Sequence, residues 1–144
     1  MRRTRLALSR LPVRDVARAR SILAASPLPL VTSHGDFHVG NVLVSDGKAW
    51  VVDWELSGRR PLGHDLMQLW ATLPDARDRD RLWEGALALV GTEHEHALAR
   101  LRYALVVRTI ANMLAAPERF DRDSEGANRL LALLPALRSA AAAS

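Results

Sequence analysis

Apolar residues recur at near-helical spacing over residues 13–25, where Val13, Val16, Ala17, Leu23 and Ala24 alternate with arginines; this predicts an amphipathic helix that Pro27 and Pro29 end. A short apolar run, Leu28 to Thr32, reads as a strand and leads to a polar cluster at 33–41. Val42-Leu43-Val44, the turn formers Ser45-Asp46-Gly47 and the run Ala49 to Trp54 together predict a β-hairpin. A loop with Gly58, Pro61 and Gly63 follows. Beyond it the pattern is helical over about 64–73, 79–90, 94–116 and 124–142, with Asp78 as N-cap of the second helix and Gly91 as its stop. The third helix is apolar on most of its circumference between Leu98 and Leu114, which marks a buried central element. The Ala-rich end, 140–144, is expected to fray, and residues 1–12 to be loosely ordered. Trp50, Trp54, Trp70 and Trp83 each sit in an apolar pattern and are expected in the core.

The chain's 144 residues, 49% of them hydrophobic, suit one globular domain spanning 1–144. The absence of cysteine excludes disulfides, thiolate metal sites and a cysteine nucleophile. No apolar run of spanning length and no signal segment is read, so the expectation is a soluble, cytoplasmic protein without membrane contact. Charge is uneven: residues 1–20 carry +6 and the rest −2. A basic stretch can mark a nucleic-acid footprint. Nineteen arginines against the single Lys48 instead make arginine the general solvated cation of this chain, and no nucleic-acid partner is expected.

The chemistry is concentrated in His34-Gly35-Asp36-Phe37-His38-Val39-Gly40-Asn41 and, twelve residues on, Asp53-Trp54-Glu55. In kinase-type phosphoryl transfer one aspartate takes the acceptor's hydroxyl proton, an asparagine five positions later binds a metal, and a second aspartate also chelates it. Asp36, Asn41 and Asp53 have that order, and a hairpin would bring the last two together. Magnesium suits such a set, a few hard oxygens with the other positions left to water and phosphate. The bland reading of these residues is ordinary turn chemistry, which their joint spacing disfavours. His34 and His38 are read as supports that hold the loop in shape. A zinc triad of His34, Asp36 and His38 is a rival, but it leaves Asn41 and Asp53 unexplained. His94 and His96 diverge on a helix and are read as solvated helix-start residues. Arg108 and Asn112, one turn apart, are read as satisfying each other and nearby carbonyls rather than lining a cleft. Asp121, Asp123 and Glu125 are read as solvated charges, with attraction of a cationic acceptor as the sharper alternative.

At these motifs the chain resembles the aminoglycoside phosphotransferase and choline kinase-like family, whose loop runs His-Gly-Asp-x-His-x-Gly-Asn and whose metal aspartate often lies in Asp-Trp-Glu. The resemblance is specific over about residues 28–70. It implies an α+β, mostly helical fold like the C-terminal lobe of a protein-kinase-like phosphotransferase, with a small hairpin carrying catalytic loop and metal site. It implies Asp36 as catalytic base, Asn41 and Asp53 as Mg2+ ligands, and Asp65 as a structural anchor of the loop. Val39 stands where the family usually has proline, and Arg59-Arg60-Pro61 where Gly-Asp-Pro is common. Only 33 residues precede His34, too few for the family's nucleotide-gripping lobe. The expected function is therefore ATP-dependent transfer to a hydroxyl of a small molecule by a lobe weak or inactive alone. The alternative is a non-catalytic binding or oligomerising remnant of such an enzyme, with a second copy or a partner covering the open face. Aminosugars, choline-like alcohols and homoserine are all candidate acceptors.

Overall fold

The computed structural model describes residues 11–116 and 124–143. Helix α1 (Val13–Ala24) forms where expected but buries Asp15, Ala19 and Ile22, one face at i, i+4 and i+7; of the apolar positions that marked it, Val13, Ala17 and Ala24 are exposed and Val16 and Leu23 half-buried. Strand β1 (Leu30–Ser33) precedes the polar loop, and β2 (Val42–Ser45) and β3 (Lys48–Val51) form the expected antiparallel hairpin. Its two-residue turn has positive φ at both Asp46 (51°) and Gly47 (73°), the left-handed pair whose twist matches the flanking strands. The second hairpin strand stops at Val51, not at Trp54, which begins a short 3-10 turn (Trp54–Leu56).

The expected loop around Gly58 and Pro61 is instead a strand, β4 (Gly58–Pro61). It pairs antiparallel with β1, with Leu30 opposite Pro61 and Ser33 opposite Gly58. Its glycine, proline and paired arginines have poor strand propensity, but pairing context overrides composition, and proline is tolerated at the end of an edge strand.

Helices α2 (His64–Thr72), α3 (Ala76–Val90), α4 (Glu95–Ala115) and α5 (Ser124–Ala142) complete the chain. The N-cap of α3 is Asp75, not Asp78: its carboxylate accepts from the Arg77 and Asp78 N–H groups at 2.8 and 3.3 Å, satisfying donors the helix cannot. Gly91 ends α3 at φ 100°, as expected. Helix α4 is central, with Leu98, Leu101, Leu105, Val106 and Ile110 all buried. The helices α1, α2 and α5 pack around it.

The Ala-rich end does not fray as expected. The last helix runs to Ala142, Ala141 is buried, and its carbonyl accepts from Arg18 at 3.1 Å. Leu11, in the stretch expected to be loose, is buried too; residues 1–10 and 144 lie outside the described residues. A polar clamp ties α1 to α4 and α5. Buried Asp15 accepts from Tyr103 Oη at 2.5 Å and from Arg138 Nε and Nη2 at 3.0 and 2.7 Å. Burial alone would raise the Asp15 pKa, but the hydrogen bonds from Arg138 and Tyr103 and the charge of Arg138 outweigh it and hold it low. Burial and the Asp15 contact push the Tyr103 phenol up to about 12.

Trp70 is buried and Trp83 half-buried, whereas Trp50 and Trp54 are 58% and 52% exposed, against expectation. An apolar alternation marks a face that can be covered, not the element that covers it. Among the described residues no helix is long and apolar enough to cross a membrane.

Candidate functional site

The loop from His34 to Asn41 runs from the end of β1 into β2, and it is held by hydrogen bonds rather than by packing. Asp65, in the first turn of α2, accepts from the His34 N–H at 2.7 Å and the Gly35 N–H at 3.1 Å, one backbone donor per carboxylate oxygen. Burial would raise the Asp65 pKa; the bonds from His64 and from these two amides reverse that and hold it low. Gly35 sits at φ 88°, and a Cβ there would strike the Leu56 carbonyl and the Arg60 guanidinium, so only glycine fits.

The ring of His34 is buried. Its Nδ1 accepts from the Asp36 N–H at 3.2 Å, which puts the ring proton on Nε2, donating to the Val52 carbonyl at 2.7 Å. Both nitrogens are thereby committed, and a zinc triad on His34, Asp36 and His38 has lost one ligand. His38 Nδ1 accepts from the Gly40 N–H at 3.0 Å, shaping the turn into β2. The Asn41 amide donates to the Asp36 carbonyl at 2.9 Å, closing the loop on itself.

Asp36 itself is 38% exposed. Its Oδ1 accepts from Gln68 Nε2 at 3.2 Å, and His38 Nε2 lies 3.5 Å from Oδ2. The carboxylate faces a cavity of about 900 Å³ between the loop, α2, α4 and the start of α5. That volume suits a small-molecule ligand. Thr109 and Asn112 of α4 line it, as do Glu125 and Arg129 of α5. Asn112 thus belongs to the cleft, against the expectation that it pairs with Arg108. The partner of Arg108 is His64, at 3.4 Å from Nη2 to Nε2. Burial lowers the pKa of both groups. Asp121 and Asp123 lie outside the described residues.

The hairpin sets the second half of the site. The Val52 N–H donates to the Asn41 carbonyl at 3.0 Å, so Asn41 lies one residue from Asp53 across the hairpin's open end. Asn41 is buried, and Asp53 is exposed in the left-handed region at φ 64°, ψ 60°. Among the described residues Asp46 shares that conformation but serves a hairpin turn. Asp53 turns the chain from β3 into the 3-10 turn Trp54–Leu56 in a left-handed conformation that aspartate adopts more readily than most residues. The Asn41 Oδ1 and the Asp53 carboxylate accept no hydrogen bond among the described residues. They are two hard oxygen donors that Mg2+ could use while keeping positions for water and phosphate.

His64 and Gln68 escaped the sequence reading. For Gln68 a signal existed: Asp65, Gln68 and Thr72 fall at i, i+3 and i+7, one polar stripe on a helix whose other face buries Met67, Trp70 and Ala71. Thr72 Oγ1 completes the stripe, accepting from the Val39 N–H at 3.4 Å.

A model of a family described as phosphotransferase enzymes matches residues 1–103. Neither the curated proteins nor the solved structures give a match.

Proposed function

The chain belongs to the phosphotransferase enzyme family, and from that premise we propose that it transfers the γ-phosphate of ATP to a hydroxyl of a small molecule bound in the cavity beside Asp36. The observation that carries this is the Asp36 carboxylate, partly exposed at the wall of a cavity of about 900 Å³ on a loop whose backbone Asp65 holds at two points. Asp36 accepts the hydroxyl proton as the acceptor oxygen bonds to the γ-phosphorus and the bond to the β-phosphate bridging oxygen breaks, leaving ADP. Asn41 and Asp53 would hold Mg2+, which would neutralise phosphate charge. His34 and His38 keep the loop in shape. Catalysis of this kind is positioning and charge stabilisation, which fits a loop fixed by so many backbone bonds.

The test is calorimetric titration of the chain with ATP and Mg2+, beside Asp53→Ala and Asp36→Asn, followed by a transfer assay on hydroxyl acceptors. Wild type and Asp36→Asn should bind nucleotide, Asp53→Ala should not, and wild type should exceed Asp36→Asn in transfer by about 10²-fold or more. Absence of wild-type binding at millimolar nucleotide would sink the reading.

A second reading, binding or self-association without catalysis, has its own support: Leu43, Val44, Trp50, Trp54 and Leu56 are all more than half exposed along the hairpin and the turn after it. Sedimentation across a concentration series would separate a monomer from a dimer.

A further inference from the structure

One polar stripe of α2 grips the loop at three heights: Asp65 at its first amides, Gln68 at the Asp36 carboxylate, and Thr72 at the Val39 amide. Two of these contacts hold backbone and so shape the loop. The Gln68 contact differs, because it reaches the carboxylate itself. A carboxylate can only accept, so the Gln68 amide must present its N–H₂ to Asp36. That orientation leaves Gln68 Oε1 buried with no partner among the described residues. A buried polar atom left unpaired is uncommon and calls for a compensating reason. The reason here is the bond at the other end of the amide.

Asp36 has little else to orient it. The His38 nitrogen at 3.5 Å is beyond good N–H···O distance, and the Arg108 guanidinium on α4 acts on Asp36 by charge alone. The terminal torsion of an aspartate is broad and two-fold, so an untethered carboxylate exchanges its oxygens readily. We infer that Gln68 is a positioning residue for phosphoryl transfer, occupying Oδ1 of Asp36 so that Oδ2 is the oxygen presented to the acceptor hydroxyl; the inference rests on the phosphotransferase reading above.

The experiment measures steady-state transfer from ATP and Mg2+ by the full chain to glucosamine, choline and L-homoserine, for wild type, Gln68→Leu and Gln68→Glu. Loss of positioning should lower kcat in Gln68→Leu by about 10- to 100-fold, while KM for nucleotide stays within about twofold and the melting temperature is kept. The Gln68→Glu side chain is of the same size. Ionised, it repels Asp36; protonated, it donates as the amide did. The ratio of its kcat to that of wild type should therefore rise as pH falls from 8 to 5. An unchanged kcat in folded Gln68→Leu, a loss confined to KM, or a flat Gln68→Glu ratio overturns the inference and leaves phosphotransfer standing. Should Gln68→Leu fail to fold, the Gln68→Glu ratio decides. Absence of wild-type turnover with all three acceptors overturns both.

Discussion

The helical body and the β segment of residues 30–61 use their side chains in opposite ways. In the helices large apolar groups such as Leu101, Leu105 and Ile110 are fully buried, and the buried charge of Asp15 is met by Arg138 and Tyr103. In the β segment the large apolar groups Leu43, Val44, Trp50 and Trp54 are exposed, while the buried residues are Ser33, His34, Gly35, Asn41 and Pro61. Burial of apolar surface is the main stabilising term in folding, but it is non-directional. Hydrogen bonds are modest in net energy and strict in geometry. The first region therefore supplies stability, and the second fixes where the groups of the site stand.

That division can be broken most severely at Asp15. Asp15→Ala leaves the Tyr103 hydroxyl buried without its acceptor and Arg138 without its counter-charge, and should cost about 3 kcal/mol in chemical denaturation. Nucleotide binding by the molecules that stay folded should be unchanged. The same contribution has a pH signature: a carboxyl held below its ordinary 3.8 stabilises the fold above that pH. The contribution fades as pH falls through the lower folded value. Urea midpoints below pH 4 should converge between wild type and variant.

Asp65→Ala probes the other side. Two loop amides lose their acceptor, but water can reach part of the site, so about 1–2 kcal/mol should be lost. Transfer should nevertheless fall by about 10²-fold or more, because the loop bearing Asp36 is released. A variant that lost stability and activity in proportion would erase the distinction between the two regions. The smallest effect is expected at Trp50→Ser, within about 0.5 kcal/mol in the isolated chain because the ring is already largely in water. A larger loss that grew with protein concentration would show that a second copy covers the hairpin.

The legibility of the sequence followed the same line. Periodicity located the helices and the Asp46-Gly47 turn because both depend on local pattern. Composition misread Gly58–Pro61, since that strand exists through its pairing with residues 30–33 and not through its own propensity. The apolar positions of Trp50 and Trp54 were visible, but what faces them is not encoded locally. The loop motif put Asp36, Asn41 and Asp53 in order. The structure adds the hairpin closure that pairs Asn41 with Val52, the neighbour of Asp53, and the tether from Gln68, a single amide among apolar neighbours whose spacing from Asp65 and Thr72 hinted at its place.

The clamp between Asp15 and Arg138 joins residues 123 positions apart. During synthesis the first helix emerges many seconds before the last, at about 5–20 residues per second. Through that interval Asp15 lacks the Arg138 guanidinium, and docking against Tyr103 would bury its carboxylate without that ion pair. The contact between α1 and α5 is therefore one that only a nearly fully synthesised segment 15–138 can close, which makes it a late contact in the life of the chain.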